Sequence, residues 1–251
     1  MDKLIVSISS ALAVFSFLCF FNINLYMTSF ICIMILILIP IGFKIEDYLK
    51  NNGNDFFNKI NYFFSKNDKF YNIDSKKFTY TFSETNNEYE IRKDIVICPK
   101  CKNLDRINDR YSWTSLSKAN LIPTQPNQEI SQDRFVNGWT YFTITFNDIL
   151  EKNKNYNTGV ILSGYEETEK DIESYLCSSI IKKTKTLILI VKLPESLNIK
   201  EAEYQIFSQG NEEYPIKKEL MEYDKEIGGF KKVIKYPRKT WTYAISWKTN
   251  K

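Results

Sequence analysis

Two long apolar stretches begin the chain, and the polar tripeptide Asn22-Ile23-Asn24 separates them. Residues 4–21 and 25–43 carry no formal charge. As helices, stretches of this length span about 27–29 Å, at about 1.5 Å per residue, which is close to the ~30 Å hydrocarbon core of a bilayer. The pattern predicts a transmembrane helical hairpin in residues 1–43. A single long, tilted or broken span is the alternative, and a cleaved signal peptide fits less well because a second apolar stretch follows at once.

The lysines around these stretches predict their orientation. Lys3 precedes the first stretch and Lys44 and Lys50 follow the second, whereas the turn between them has no positive charge. The positive-inside rule then places both termini in the cytoplasm of a bacterial cell, with the hairpin in the inner membrane.

Residues 44–77 are predicted to form a juxtamembrane amphipathic helix and linker. Their apolar side chains recur at the spacing of one helical face. This face consists of Phe56, Phe57, Ile60, Phe63 and Phe64. The helix is expected either to lie at the lipid interface or to dock on the following domain, since periodicity does not identify the partner.

Alternation of apolar and polar positions replaces the helical pattern from about residue 78. Short segments rich in Thr, Tyr, Phe, Ile and Val are typical of strands. The predicted strands are 78–82, 89–97, 139–146, 158–165, 186–193, 215–223, 230–236 and 241–247. They predict an all-β domain over residues 78–251, an antiparallel sandwich or alternatively a barrel.

Four finer expectations accompany this fold. The mostly apolar strand 186–193 is expected to be central and covered on both faces. The last three strands are expected to form a meander. Residues 166–181 are expected to hold one short helix. Residues 120–133, which include two prolines, are expected to be a mobile loop. Trp241, Tyr243, Ile245 and Trp247 alternate and are expected to share one core face.

Composition excludes several kinds of catalysis. The chain has 34 Lys and Arg, 30 Asp and Glu, a net charge of +4, and no histidine. Ser-His-Asp and Cys-His catalysis and histidine metal sites are therefore excluded. Phosphate-binding and nucleophile-elbow glycine motifs are also missing. We predict a protein that is not an enzyme. A membrane-tethered metal-dependent hydrolase using carboxylates is a further alternative.

Cys98 and Cys101 have the C-x-x-C spacing of a zinc knuckle. Zn²⁺ normally takes four ligands, and one chain offers only Cys177 as a third thiolate in this region. A complete site would need two chains. The sequence is therefore compatible with three interpretations of Cys98 and Cys101: a metal site, a redox pair, or free thiols near a turn.

Basic and aromatic side chains supply candidate contacts for an anionic ligand. Arg makes bidentate contacts to phosphate, and aromatic faces stack on bases. The candidates are Arg92, Arg106, Arg110, Tyr111, Trp113, Arg134 and Trp139. They are dispersed in sequence, so ordinary surface arginines and core aromatics are the alternative interpretation.

The order of parts resembles the two-transmembrane, β-rich effectors of bacterial antiphage systems such as CBASS. The resemblance concerns architecture over the whole chain and involves no residue motif. It implies a β domain that senses a cyclic nucleotide or a protein trigger, and helices that homo-oligomerise and disrupt the lipid bilayer. No binding to DNA or RNA polymers is expected. A membrane-anchored protein-interaction module is the alternative function.

Overall fold

The computed structural model describes Tyr62 and residues 68–83, 88–112, 120–136, 139–165, 174–208 and 214–248. The chain divides into two compact units, Met1–Phe57 and Asn58–Lys251, and all described residues belong to the second. None of the described helical residues forms a segment long and apolar enough to cross a membrane. The predicted transmembrane hairpin lies outside the described residues and stays a prediction.

Thirteen strands and one 3-10 helix (Glu195–Leu197) make up the described part of the β domain. The strands are β1 (Tyr71–Ser83), β2 (Glu88–Pro99), β3 (Leu104–Ser112), β4 (Asn120–Pro123), β5 (Gln128–Val136), β6 (Trp139–Leu150), β7 (Tyr156–Tyr165), β8 (Ser174–Ser179), β9 (Thr184–Lys192), β10 (Glu201–Phe207), β11 (Lys217–Glu222), β12 (Gly229–Lys235) and β13 (Thr242–Trp247). The all-β prediction is therefore confirmed for this region.

These strands form three separate sheets. A six-stranded sheet has the order β12-β9-β1-β2-β7-β4, a four-stranded sheet the order β11-β10-β13-β8, and a three-stranded sheet the order β3-β6-β5. None of them closes on itself, which favours the sandwich over the barrel. Every strand pair is antiparallel except β1 with β9, which run parallel.

One face of the six-stranded sheet carries two apolar clusters. Side chains of β1, β9 and β12 pack against β8, β10 and β13 of the four-stranded sheet. Side chains of β1, β2 and β7 pack against β3 and β6 of the three-stranded sheet. The register of β2 places Ile91, Lys93, Ile95 and Ile97 on this same face, so the two smaller sheets lie side by side over it.

The structure corrects three finer expectations. Residues 120–133 are not a loop throughout, because β4 and most of β5 lie there. Residues 174–179, within the predicted helix, form strand β8. The last three strands do not form a meander, since β12 joins the six-stranded sheet while β11 and β13 flank β10.

Two expectations hold wholly or in part. Tyr243, Ile245 and Trp247 are buried, and Trp241 packs against the same cluster, so this face is core as predicted. Strand β9 is internal, between β12 and β1, but its second face is only partly covered.

Tyr62 contacts the β domain. Its ring lies 5.0 Å from the ring of Tyr236, and the Lys183 ammonium lies 4.5 Å from its centroid. The Phe and Ile side chains of the predicted amphipathic face lie outside the described residues, so its docking partner stays a prediction.

Candidate functional site

The central strand of the three-stranded sheet separates core side chains from exposed ones. In β6, Phe142, Ile144 and Phe146 are buried against the six-stranded sheet. Because successive side chains of a strand point to opposite faces, Trp139 and Tyr141 lie on the outer face. That outer face, carried by β3, β6 and β5, is the candidate site.

Two arginines lie on either side of Tyr141. Arg110 in β3 and Arg134 in β5 are both directly opposite Tyr141 in register. The Arg134 guanidinium carbon lies 5.0 Å from the centroid of the Tyr141 ring, and that of Arg110 lies 4.1 Å from the centroid of the Trp139 ring. Both distances are typical of cation–π contacts.

The stacked guanidiniums keep most of their hydrogen-bond donors available. Arg110 Nη1 donates to the Tyr141 hydroxyl at 3.4 Å. No other acceptor receives a hydrogen bond from either guanidinium among the described residues. Stacking uses the face of a guanidinium and leaves its in-plane N–H groups for a bidentate contact. The site therefore offers two oriented anion-binding groups beside aromatic surface.

A bulge in β5 adds a carboxylate to the same face. The register shifts between Gln132 and Arg134, which inserts Asp133. Asp133 Oδ2 lies 2.7 Å from the Thr143 hydroxyl oxygen, which also lies 3.1 Å from Asn108 Oδ1. The single hydroxyl proton of Thr143 serves one of these acceptors at a time.

The structure brings four of the predicted ligand contacts to this sheet face. Arg110 stacks on Trp139, and Arg134 lies on the other side of β6, stacked on Tyr141. Arg106 lies further along β3, opposite Thr145. Arg106 is strongly exposed and pairs with Asp105 at 3.0 Å. It is therefore at the margin of the site.

Two of the other predicted contacts, Arg92 and Tyr111, do not join the site. Arg92 lies on β2, on the face of the six-stranded sheet opposite to Lys93, and pairs with Asp94 at 3.0 Å. Tyr111 packs inward, with its ring 6.0 Å from that of Phe142. Trp113 lies outside the described residues.

Cys98 and Cys101 lie at the end of β2 and in the turn that follows. Both are partly exposed free thiols. Cys98 Sγ lies 3.4 Å from the Lys100 ammonium, and Cys101 Sγ lies 3.6 Å from the Phe70 carbonyl oxygen. Within the described residues, no group of three or more Cys, Asp or Glu side chains could hold a metal ion. Zinc at this pair stays a prediction.

A buried charge cluster, made of Lys76, Lys93 and Asp109, lies beneath the candidate site. Lys76 and Lys93 are only 5% and 3% exposed. Lys93 forms an ion pair with Asp109 and donates to the Arg110 carbonyl oxygen at 3.4 Å. The cluster therefore contains two lysines and one carboxylate, next to the backbone that carries Arg110.

Burial and charge shift the pKa values of this cluster. Burial, followed by the charge of Lys93, lowers the pKa of Lys76 to about 7. Burial alone would raise the pKa of Asp109, but the charges of Lys93 and Lys76 and the bond from the Arg110 amide hold it below its usual range.

The lowered pKa of Lys76 predicts a pH-dependent stability. Lys93 from β2, Asp109 and Arg110 from β3, and Cys177 from β8 are the charged or titratable groups that act on Lys76. The unfolded chain binds more protons than the folded chain from pH 7 up to the unfolded pKa of 10.5, so stability rises with pH there. We expect the free energy of unfolding to rise by about 2 kcal/mol from pH 7 to pH 9 through this group.

Urea denaturation followed by tryptophan fluorescence would measure this rise. Lys76→Met should abolish it, because methionine keeps the unbranched stem and has no proton to lose. Lys185→Met is the matched control, since Lys185 is an exposed lysine of the neighbouring β9. An equal rise in Lys76→Met would contradict the assignment.

Sequence reasoning missed Tyr141 and the buried charge cluster. Tyr141 carries a detectable signal, because it alternates with buried Phe142 and Ile144 and so belongs to the exposed face. Lys93 carries one too, since it occupies a core position of the series Ile91, Lys93, Ile95 and Ile97. Lys76 has none, because a bulge in β1 between Ile73 and Ser75 interrupts the alternation before it.

No protein-family model and no curated protein sequence matches the chain. What the site can bind therefore has to follow from its own residues.

Proposed function

We propose that the β domain is a non-enzymatic receptor for a small anionic ligand with an aromatic ring, and that cyclic nucleotides are the ligand class. The observation that carries this proposal is the pair of guanidiniums stacked across β6. Arg110 and Arg134 present in-plane donors to an anion. Their guanidinium planes, stacked on Trp139 and Tyr141, offer a flat surface on which a base can stack.

The spacing of the arginines suits a ligand of this size. Their strands flank β6, so their backbones are about 10 Å apart, at about 4.8 Å per strand. Flexible arginine side chains shorten or lengthen this separation. A ligand with two phosphates, or with one phosphate and a base, would engage both.

We further propose that this receptor belongs to an inner-membrane effector of antiphage defence. The apolar stretches 4–21 and 25–43 and the resemblance in architecture support this part. Ligand binding would favour an assembled state, in which helices of several chains disrupt the bilayer. The ligand must therefore bind the assembled state more tightly than the resting state.

The binding proposal predicts that Arg110→Gln weakens affinity for the active nucleotide by about 10–100-fold, because a charged contact contributes about 1.5–3 kcal/mol. Isothermal titration of the full chain in mild detergent with a panel of cyclic mono- and dinucleotides would measure this. Arg134→Gln should weaken the affinity for the same nucleotide by a similar factor.

Arg92→Gln is the matched control, because Arg92 lies on another sheet and pairs with Asp94. Its affinity should equal that of the unmodified chain. The site would be refuted if no nucleotide in the panel bound. It would also be refuted if Arg110→Gln, Arg134→Gln and Arg92→Gln lost affinity equally.

The effector proposal has a separate test. Expression of the full chain with its trigger should collapse membrane potential and arrest growth, whereas a version lacking residues 1–43 should do neither. Intact membranes under every triggering condition would refute the effector role without affecting the ligand site.

A protein-interaction module is the second candidate. Phe135 and Val136, next to Arg134 in β5, are 71% and 41% exposed. Exposed apolar side chains beside arginine are common in protein interfaces. This candidate predicts a stable partner that is lost in Phe135→Ser, and no growth arrest on expression.

A further inference from the structure

Several connections between strands meet at one end of the six-stranded sheet and are bonded to one another. Asp68 accepts a hydrogen bond from the Lys183 amide at 2.7 Å and forms an ion pair with Lys239 at 3.3 Å. The Lys100 amide donates to the Phe70 carbonyl oxygen at 2.7 Å. We call this surface the basic end, and it consists of residues 68–70, 100–103, 151–155, 180–183 and 236–241.

Positive charge dominates the basic end. Its acidic side chains are Asp68 and Glu151, and each already forms an ion pair with a lysine. Among the described residues, no carboxylate forms an ion pair with the following cations of this end: Lys69, Lys100, Lys102, Lys152, Lys182 and Arg238. The described connections at the opposite end of the sheet, 193–200 and 223–228, have no such excess, because they carry three acidic side chains and two lysines.

Two exposed apolar side chains lie among these cations. Phe70 is 51% exposed, and the Lys69 ammonium lies 5.6 Å from the centroid of its ring. Ile181 is 40% exposed. Exposed apolar side chains beside lysines are typical of protein surfaces that lie at the level of lipid headgroups.

The chain also enters the β domain at the basic end. Tyr62 precedes Asp68 in the sequence and contacts Tyr236 and Lys183 here. The proposed transmembrane hairpin ends at residue 43, and residues 44–67 connect it to Asp68. The basic end is therefore the end of the domain to which the chain leads from the bilayer.

We propose that the basic end binds the anionic phospholipid headgroups of the membrane, with Lys69, Lys100 and Lys182 at the headgroup phosphates and Phe70 among them. This inference rests on the proposed hairpin, which would bring the domain to the bilayer. Each lysine close to an anionic bilayer strengthens binding by about fivefold. The attraction weakens as salt is added, because its range is about 10 Å at 0.1 M salt.

Amine footprinting of the full chain in lipid nanodiscs provides the test. Discs of phosphatidylcholine are compared with discs in which part of this lipid is replaced by phosphatidylglycerol, and mass spectrometry measures how fast an acylating reagent modifies each lysine. Lys69, Lys100 and Lys182 should react about 3–5-fold more slowly in the anionic discs, and added salt should reduce this protection. Lys192 and Lys225, exposed lysines near the opposite end, should react equally in both discs.

A matched pair of double variants separates the basic end from total charge. Lys69→Gln with Lys182→Gln removes two charges from the basic end, and Lys192→Gln with Lys225→Gln removes two from near the opposite end. Protection of the unchanged Lys102 should shrink in the first variant and stay the same in the second. The footprint of the unmodified chain decides the matter by itself if a variant does not fold.

Three results would overturn the proposal, and they differ in what else they affect. Equal, fast labelling of the basic end in both discs would leave the hairpin and the nucleotide site intact. Slow labelling that is the same in both lipids would place a second copy of the chain over this end. Failure of the chain to stay in either kind of disc would show that the proposed hairpin itself is wrong.

Discussion

Asp109→Asn is expected to lower the free energy of unfolding by about 3–5 kcal/mol, because it leaves the buried Lys93 without its counter-charge. Lys93 is 3% exposed and has no other carboxylate partner among the described residues. Urea denaturation of the full chain would measure the loss. All four tryptophans lie within residues 113–247, so their fluorescence reports on the β domain.

Asp105→Asn is the matched control for this substitution. Asp105 is on the same strand but is exposed beside Arg106, so its loss should change stability by no more than about 0.5 kcal/mol. The double variant Lys93→Met with Asp109→Leu should recover most of the stability, since apolar side chains often replace a buried pair without cost. A loss below about 1 kcal/mol in Asp109→Asn would show that Lys93 does not depend on this carboxylate.

Phe142→Ala is expected to cost about 3–5 kcal/mol of stability and to abolish nucleotide binding. Phe142 is fully buried at the centre of β6, against Tyr111 and below the Lys93 ammonium. A cavity there would remove the support beneath Tyr141, the residue between the two stacked arginines. Urea denaturation and isothermal titration would measure the two effects.

Ile149→Ala provides the comparison within the same strand. Ile149 is 63% exposed, so its truncation should leave both stability and affinity nearly unchanged. If Phe142→Ala retained full nucleotide affinity at a temperature where it is folded, the outer face would not depend on β6 packing and the ligand would have to bind elsewhere.

Many strands with a regular apolar alternation could be predicted from the sequence, although β10, in which Ala202, Tyr204 and Ile206 alternate with polar residues, was missed. Each predicted strand segment overlaps an observed strand, as in β2 and β6. In contrast, β5 was missed because most of its residues are exposed and only Gln128 is buried. β3 was missed because Asp109 occupies an inward position and a bulge after Leu104 shifts the alternation.

Strand order could not be predicted, since it depends on contacts between distant segments. Strands β11 and β12 are consecutive along the chain, but β11 belongs to the four-stranded sheet and β12 to the six-stranded sheet. Nothing local in the sequence specifies that β12 pairs with β9.

Part of the candidate site was predictable from residue type alone. Arg110, Arg134 and Trp139 were chosen for their chemistry, and the register of β3, β6 and β5 brings them together. Arg92 and Tyr111 are basic and aromatic candidates of the same kind, but Arg92 lies on the six-stranded sheet beside Asp94 and Tyr111 packs inward on Phe142. Residue type therefore identified the candidate ligand contacts, and only the strand register of the folded domain showed which of them lie on one face.

The parallel pairing of β1 with β9 has a consequence for synthesis on the ribosome. β1 can pair with β2 as soon as both emerge, but its other edge waits for residues 184–192. Until then a nascent chain presents an open strand edge, which invites pairing with neighbouring nascent chains. A chain stalled before residue 184 is therefore expected to aggregate more readily than the completed chain, and a chaperone that covers the β1 edge would protect it.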